Sequence, residues 1–439
     1  MLRARAANRA PEPATAPAPL GPRADLVVAI ANSSGGYAPV FIHRSIHKDI
    51  ILKFAELQGK KIGICASGGL VSLFITQRLK EEGVGYEQFI VDIGQPGEEA
   101  HAYCSDNIDL MQGTRVIDLK EDIAQVFLQA VRAQAQYDGG YWNTTGIARA
   151  VTVKGLVAAL RSQQCNVLAH GAVHGGNDEF RFTYYLKMFA PEIIPFSPWE
   201  DPTTSDRFRT RAAMGDFVAD ADQALMRSKA HHSVDANLGG VSHESREVEL
   251  LSNSTNSIAP IMGVRVADAP DQPERCTIVF KNGLPVEING QAVSAYQAIA
   301  MANQIAGRNG VVLKNVLENR MNGTKGRGLY ESPGLDLLGT AARHLFQATV
   351  DKDGWELMRF LSPFIARQTY AGRLYDPATQ IALASAEELT ENASGVVEML
   401  AFKGTYLVDR VRDYSKSRFT AQQFRFAHGG QKWITEAVA

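Results

Sequence analysis

Residues 60–74 read KKIGICASGGLVSLF, in which an apolar, strand-like run leads directly into a Ser-Gly-Gly turn. The pattern after the turn, LVSLFITQRLKEEG, predicts an amphipathic helix that ends at Gly83. Backbone N–H groups at the start of a helix bind phosphate well, so the turn is a candidate nucleotide site. A lone S-G-G is a weak signal, because serine and glycine occur in any tight turn.

Strand and helix patterns alternate from about residue 60 to about residue 200. Further strands are predicted at 86–94, 114–120 and 165–172, and helices at 96–113, 121–136 and 148–163. This alternation predicts an α/β fold with a parallel sheet covered by helices on both faces. Ligands of such sheets bind beyond the carboxyl ends of the strands. We therefore expect three features to converge there: Ser67, Asp92 and the segment HGAVHGGND at 170–178.

From about residue 203 the composition becomes mixed α+β, which predicts a second domain. A helix is expected over 207–230, and a loop rich in Gly, Ser and His over 231–247. A hairpin is expected around Asn282-Gly283 and another helix over 293–310. The predicted organisation is an extension (1–45), a nucleotide domain (46–202), a synthetase and multimerisation domain (203–410) and a divergent tail (411–439).

The first 23 residues are rich in Ala, Pro and Arg and cannot build a core, so we expect a disordered extension. A transit peptide is the alternative, because three arginines precede any acidic residue. A second S-G-G sequence, at 34–36, is predicted to be an ordinary loop, since Pro39 follows and no helical pattern continues it.

Composition excludes several classes of function. The chain has 439 residues, a formal net charge of −2 and no apolar run long enough for a membrane span, so neither nucleic acid nor membrane is an expected partner. The four cysteines form no C-x-x-C pair, which argues against a zinc site, an iron–sulfur cluster or a disulfide framework. A reducing cytoplasm is the expected compartment.

Two further segments concentrate polar residues. In the segment 170–182, Asn177 and Asp178 are expected to cap the helix at 179–189, and His170 and His174 to be surface loop residues, since no third metal ligand is evident. Residues 318–320 and 325–334 mix both charges with glycine, which is typical of a solvated loop.

Seven stretches together resemble the argininosuccinate synthases, in particular the longer bacterial type, from about residue 48 to about residue 410. They are, in chain order, KIGICASGGL, YWNTTGIARAV, HGAVHGGNDEFRF, PFSPWED, VDANLGGVSHE, PIMGV and VLENRMNGTKGRGLYESPG. Enzymes of this family adenylate the ureido oxygen of citrulline with ATP, and the amino group of aspartate then displaces AMP. The resemblance implies an N-type ATP-pyrophosphatase domain (adenine nucleotide alpha hydrolase-like), a synthetase domain, and assembly as a homodimer or homotetramer.

The resemblance also implies site residues, and ATP with Mg²⁺ as cofactors. Asp178 and Arg181 carry the catalytic assignment. Nucleotide binding falls on Ala66, Ser67, Gly68, Gly69, Ser72, Val91 and Gly171. Citrulline binding falls on Tyr141, Asn177, Asp178, Arg181, Ser233, Ser242, Glu318 and Tyr330. Binding of the amine co-substrate falls on Thr145, Val173, Asn177 and Asp178, and no residue is assigned as a protein-bound metal ligand.

The chain departs from the family pattern at two places. Where the family has S-G-G-L-D-T-S, Val71 replaces the acid and Leu73 the last serine, which weakens the expected Mg²⁺ contact and removes a hydroxyl donor to phosphate. Where the family has H-G-A-T-G-K-G-N-D, Val173 replaces threonine and Gly175 replaces lysine, which puts aspartate in doubt as the amine.

Three functional hypotheses follow. The first is an ATP-dependent C–N ligase that activates citrulline or a related ureido compound for attack by aspartate or another amine. The second is a catalytically weak protein that binds citrulline or arginine-pathway metabolites as a sensor or regulatory subunit. The third, an RNA-modifying enzyme, is opposed by the slightly negative net charge and by the absence of a cysteine pair.

Overall fold

The computed structural model describes residues 27–31, 37–41, 52–96, 113–208, 210–218, 233–244 and 246–415. The chain divides into two compact units, Met1–Ile50 and Ile51–Ala439. In the first unit, strands β1 (Val27–Ala31) and β2 (Tyr37–Phe41) pair antiparallel. The S-G-G loop predicted at 34–36 lies outside the described residues, and the disordered extension over residues 1–45 stays a prediction. Most of the predicted tail at 411–439 lies outside the described residues.

The second unit begins with a parallel sheet, as the alternating pattern predicted. Its strands are β3 (Ile62–Ala66), β4 (Tyr86–Asp92), β5 (Arg115–Asp118), β6 (Val167–Ala169) and β7 (Ile194–Phe196). The helices that accompany them are α1 (Leu70–Glu81), α2 (Lys120–Arg132), α3 (Thr144–Ser162) and α4 (Asn177–Phe189). The predicted helix at 96–113 falls almost entirely outside the described residues.

The strand order is β5-β4-β3-β6-β7, with every neighbouring pair parallel. Strands β4 and β5 are added on one side of β3, and β6 and β7 are then added on the other side. The strand order therefore reverses between β3 and β6. Such a reversal opens a crevice at the carboxyl ends of the two strands, which is where ligands of open α/β sheets bind. The turn after β3 and the segment after β6 both lie at this reversal.

Two short helices, α5 (Pro202–Arg207) and α6 (Arg211–Phe217), pack beside this sheet. The Phe74 ring of α1 lies 4.7 Å from the Phe208 ring and 5.5 Å from the Phe217 ring. The boundary predicted at 202/203 therefore falls inside a region of continuous packing. The helix predicted over 207–230 begins later, at Arg211, and residues 219–232 lie outside the described part of the chain.

The rest of the unit contains antiparallel strands and longer helices. The strands are β8 (Ser233–Asn237), β9 (Gly240–Glu244), β10 (Glu274–Lys281), β11 (Leu284–Ile288), β12 (Gln291–Ala292), β13 (Leu313–Asn319), β14 (Lys325–Glu331), β15 (Gly395–Phe402) and β16 (Thr405–Arg412). The helices are α7 (Arg246–Glu249), α8 (Ala295–Arg308), α9 (Pro333–Thr349), α10 (Lys352–Tyr370) and α11 (Pro377–Thr390).

These strands form a four-stranded sheet, β13-β14-β9-β8, and a five-stranded sheet, β12-β11-β10-β15-β16. The hairpin predicted at Asn282-Gly283 is confirmed, and both residues have the positive φ (51° and 76°) that its tight turn requires. Two predicted loops are wrong, because most of residues 231–247 and of residues 318–334 form strands of the four-stranded sheet. Their glycines and charges gave a loop-like composition, although Glu318 is buried in a polar pocket described below.

One apolar cluster joins the two parts of the unit. It contains Phe127 of α2 and Leu156 of α3 together with Ile278 of β10, Leu338 of α9 and Val397 of β15. Helix α3 is apolar on most of its surface, TTGIARAVTVKGLVAALRS, which suits a helix buried on several sides. Among the described residues, no helix combines the length and the apolar character that crossing a membrane would require.

Candidate active site

The turn between β3 and α1 is held by its own hydroxyl groups. Gly68 has a φ of +67°, which a residue with a side chain rarely adopts. The Ser67 hydroxyl accepts the N–H of Gly69 at 3.3 Å, and the Ser72 hydroxyl donates to the Gly69 carbonyl at 2.8 Å. The first backbone amides of a helix have no acceptor within the helix, so α1 can offer them to a phosphate group.

Val71 and Leu73 face different surroundings. A Cβ built on Gly171 would lie 2.8 Å from Val71 Cγ1, so the valine side chain lies against the backbone that leaves β6. Leu73 is fully buried in the apolar cluster under the turn, with Ile64 and Phe74. The Leu73 side chain thus points into the core, and the loss of a phosphate donor at this position stays a prediction. Val71 is the substitution that borders the crevice.

The other predicted nucleotide residues can act only through their backbone. The Ala66 and Val91 side chains are buried in apolar clusters. The carbonyl group of Gly171 accepts the Trp199 indole N–H at 3.3 Å. The turn thus presents N–H groups and hydroxyls but no carboxylate among its residues 67–73, and hard cations such as Mg²⁺ need oxygen ligands. The turn does not fit a directly bound Mg²⁺.

Asp92, at the carboxyl end of β4, is the carboxylate that the strand order brings to this edge. Its Oδ2 accepts from Lys120 Nζ at 2.6 Å, and its Oδ1 accepts the N–H of Gly94 at 3.0 Å. Hydrogen bonds to Asp118 and to Asp92 raise the pKa of Lys120, so this ammonium group stays charged. The edge of the sheet therefore carries a positive group paired with two acids.

The four-stranded sheet contributes a row of polar residues. Its register places Asp235 opposite Ser242, and Ser242 opposite Tyr330, so the three share one face on neighbouring strands. The Ser242 hydroxyl lies 3.1 Å from the Thr145 hydroxyl at the start of α3. Ser233 is the first residue of β8, and its side chain lies outside the described part of the chain. The sheet and α3 thus face each other across this row.

Four tyrosines line the pocket in two stacked pairs. Tyr141 stacks on Tyr330 with ring centroids 3.9 Å apart, and Tyr137 stacks on Tyr370 at 4.1 Å. The hydroxyls of Tyr330 and Tyr370 donate to the two oxygens of Glu318 at 2.7 and 2.8 Å. Burial raises the pKa of both phenols, so they remain donors, and the buried carboxylate is held between two neutral partners.

An arginine–aspartate network closes the other side. Asp178 Oδ1 accepts from Arg181 at 2.8 Å, and its Oδ2 accepts from Arg149 at 3.0 Å. Arg149 also donates to Asp235 at 2.9 Å. Although burial alone would raise the pKa of Asp178, the two guanidinium groups hold it below its usual range. An ionised carboxylate between two arginines is a poor proton acceptor, so this geometry suits positioning and charge balance.

Asn177 and Asp178 do not cap α4. The cap position is taken by Gly176, without a side-chain hydrogen bond, and both residues lie in the first turn of the helix. The Asn177 amide donates to the Tyr370 hydroxyl at 3.1 Å. The capping prediction is therefore wrong, because both side chains point towards the pocket and the cap position of α4 has no side-chain hydrogen bond.

Comparisons with known proteins identify the family to which this chain is similar. Residues 61–222 match the arginosuccinate synthase N-terminal HUP domain, and residues 232–429 match the arginosuccinate synthase C-terminal domain. The chain is 33% identical over 353 residues to an argininosuccinate synthase of Rhodopirellula baltica, a match that covers 80% of this chain and 87% of the relative. The chain belongs to the argininosuccinate synthase family. The resemblance seen in the motifs, and the α/β fold it implied, are thereby confirmed.

The loop after β6, one of the two places where this chain departs from the argininosuccinate synthase pattern, places its two histidines in different surroundings. His170 is 1% exposed and stacks on Phe182, and its Nδ1 has no hydrogen-bond partner among the described residues. Burial lowers the pKa of His170 to about 4. The expectation of a surface loop residue is therefore wrong for His170. Val173, assigned to the amine site by the family pattern, is 69% exposed.

His174, by contrast, is exposed and lies among carboxylates. Its Nδ1 lies 2.9 Å from Glu179 and 3.6 Å from Glu200. One ligand atom from each of these residues lies within 4.8 Å of the others, so the three could together coordinate a metal ion. The hydrogen bond to Glu179 raises the pKa of His174, so a protonated imidazole can form an ion pair with Glu179 without a metal.

Four residues of the site were missed by sequence reasoning, namely Tyr137, which stacks on Tyr370, and the three discussed next. Arg149 lies four residues after Thr145, on the same face of α3, and this spacing is the signal that could have found it. Asp235 lies opposite Ser242, which becomes apparent only when residues 233–244 are recognised as strands. Tyr370 is separated from Asn177 by almost two hundred residues and belongs to none of the seven family stretches, so no local signal indicates it.

Proposed function

We propose that this chain is an ATP-dependent C–N ligase that adenylates the ureido oxygen of citrulline, or of a related ureido compound, and couples it to an amine. The observation that carries the proposal is the polar pocket. Most residues that the family pattern assigns to citrulline come from α4 and from the hairpins β8–β9 and β13–β14, and they form hydrogen bonds at Glu318, Ser242 and Asp178. Membership of the family supports an ATP-dependent ligase acting on citrulline and aspartate, with a role in arginine biosynthesis.

The proposed chemistry has two steps. The ureido oxygen attacks the α-phosphorus of ATP and pyrophosphate leaves, which converts a poor electrophile into one with a good leaving group. The amine nitrogen then forms a bond to the ureido carbon, the carbon–oxygen bond to AMP breaks, and the amine proton passes to solvent. A protein accelerates such steps mainly by positioning the reactants and stabilising charge.

The residues can be assigned roles in this scheme. Glu318 can accept from the ammonium group of the amino acid, and the Thr145 and Ser242 hydroxyls can donate to its oxygen atoms. The amides at the start of α1 can bind the phosphates. Asp178 and Arg181, each already bound to protein partners, hold the pocket in shape rather than transfer protons.

The amine substrate in this proposal is not restricted to aspartate. The family threonine and lysine of the loop after β6 are replaced by Val173 and Gly175, while Thr144 and Thr145 remain. Aspartate or another amine therefore fits the same activated intermediate. We also propose that the chain acts as a homo-oligomer in the cytoplasm, as the family resemblance and the cysteine usage suggest.

Exchange of labelled pyrophosphate into ATP tests the proposal directly. We expect exchange that depends on citrulline and needs no amine, followed by product formation when an amine is added. Mass spectrometry of reactions with a panel of amines identifies the acceptor. A Glu318→Gln variant should raise the citrulline concentration needed for exchange without changing the ATP requirement. The absence of exchange with every ureido compound tested would overturn the proposal.

A second candidate is a sensor or regulatory protein that binds citrulline without turning it over. It is favoured by one observation, namely that the turn at 67–73 lacks a carboxylate while the pocket around Glu318 retains its partners. Calorimetry separates the two candidates. Citrulline binding with no detectable ATP consumption would favour the sensor, and ordinary turnover of magnesium-ATP would eliminate it.

A further inference from the structure

Tyr370, the last residue of α10, contacts three pocket residues at once. Its hydroxyl donates to Glu318 at 2.8 Å and accepts from the Asn177 amide at 3.1 Å. Its backbone carbonyl accepts two N–H groups of Arg181, at 2.6 and 3.2 Å. The side chain is 3% exposed, so these bonds are shielded from water.

The ring of Tyr370 is fixed independently of its hydroxyl. It stacks on Tyr137 at 4.1 Å, and the Arg181 guanidinium carbon lies 5.2 Å from its centroid. Stacking and cation–π contacts of this kind hold an aromatic ring without any polar atom. The hydroxyl therefore occupies a fixed point between β13, which carries Glu318, and α4, which carries Asn177.

We propose that Tyr370 is a positioning residue for the amino-acid pocket, setting the orientation of Glu318, Asn177 and Arg181 through one side chain and its carbonyl. The inference rests on the proposed function in taking the ligand to be an amino acid such as citrulline. The positioning itself is a property of the protein without ligand and can be measured separately.

Tyr370→Phe isolates the hydroxyl, because the ring contacts and the carbonyl bonds to Arg181 are kept. Tyr184→Phe is the matched control: Tyr184 also donates to a carboxylate, Asp376 at 2.8 Å, but outside the pocket. A bond to a charged group contributes enough that its loss should raise the KM for citrulline by about tenfold or more, with the KM for ATP unchanged. Hydrogen exchange without ligand should speed up in the first turn of α4. The control should change neither quantity.

The outcomes discriminate between the two proposals. If wild-type protein binds no ureido amino acid, the proposed function fails. Hydrogen exchange in the first turn of α4, measured without ligand, still decides the role of Tyr370. If Tyr370→Phe and Tyr184→Phe behave alike in both measurements, the positioning role is overturned. A Tyr370→Phe, Glu318→Gln double variant adds a second readout: the effects on citrulline binding should be less than additive, whereas full additivity would contradict a shared role. Thermal unfolding of each variant checks that it is folded.

Discussion

Val71 is the residue at which the phosphate turn differs most consequentially from its family. Its side chain lies against Gly171 at the reversal of the strand order, whereas Leu73 is enclosed by the apolar cluster. Restoring the acid therefore requires a change at position 71 alone. A serine at position 73 would remove apolar contacts in the core, which costs about 3 kcal/mol of stability.

We expect Val71→Asp to lower the KM for magnesium-ATP, because a carboxylate at the crevice can hold the ion or a water bound to it. Val71→Asn is the matched control, since it has the same shape without the charge. Steady-state kinetics of both variants at fixed citrulline give the comparison. Equal effects of Asp and Asn would mean that charge at this position is not what the turn lacks.

His170 predicts a pH dependence of stability. Its pKa is lowered to about 4 by burial, below the 6.5 of an unperturbed histidine. Between these values the unfolded chain binds a proton that the folded chain does not, so stability is full above pH 6.5 and is lost as pH falls towards 4. The loss attributable to this residue is about 2–3 kcal/mol. Urea unfolding at pH 5 and pH 7.5 should show a smaller difference in His170→Gln than in wild type, and His174→Gln should not reproduce that change.

For single residues, only part of the site could be predicted from the sequence. Asp178 and Arg181 could be named because they lie in one dense motif, and they do meet in the pocket. Their partners Arg149 and Tyr370 come from other helices. The spacing of Arg149 from Thr145 is a weak local signal, but nothing in the neighbourhood of Tyr370 marks it as a polar contact of the site. Pairings that depend on tertiary approach have no local sequence pattern.

Among the elements, β14 is tied to a neighbouring segment by a buried acid. Glu331, the last residue of the strand, is fully buried and accepts the N–H groups of Ile261 and Met262, the latter at 2.7 Å. His243 of β9 lies 2.5 Å from the same carboxylate. The segment 260–263 is thus fixed to the sheet that carries Tyr330 and Ser242.

We expect Glu331→Gln to loosen this segment, because an amide has a single acceptor oxygen and cannot replace all of these bonds. The cost is about 1–3 kcal/mol, as for a buried group left without its partners. Hydrogen exchange should rise in a peptide covering residues 258–264. Glu388→Gln, on the exposed side of α11, serves as control. A similar rise in exchange of the 258–264 peptide in that variant would contradict a local role of Glu331.

Helices and strands were predicted correctly where apolar periodicity is strong, and incorrectly where polar residues of the pocket interrupt that periodicity. The parallel sheet and the hairpin at Asn282-Gly283 could be predicted from alternating patterns and turn residues. Strands β8, β9, β13 and β14 look like loops because their inward positions carry residues such as Asp235, Ser242 and Glu318. A strand that faces a polar pocket lacks the apolar alternation by which strands are recognised.

One apolar cluster of the second unit spans the division between the two family domains. Phe127 and Leu156 precede that division, and Ile278 and Leu338 follow it. We therefore expect one calorimetric unfolding transition rather than two. Leu338→Ala removes a fully buried side chain at a cost of about 3 kcal/mol and should shift the whole transition. Leu357→Ala, at an exposed position of α10, should leave it nearly unchanged, and a split peak in either variant would contradict a shared core.

The same cluster determines how long apolar surface stays uncovered during synthesis of the chain. Helices α2 and α3 leave the ribosome well before α9, which carries apolar residues that cover them and lies about 170 residues later along the chain. At a typical bacterial or eukaryotic elongation rate, roughly 10–30 s pass before α9 has been made. During that interval the nascent amino-terminal half displays the surface that will become the centre of the protein. Chaperones that shield such surface should associate with this chain until its carboxyl-terminal half emerges.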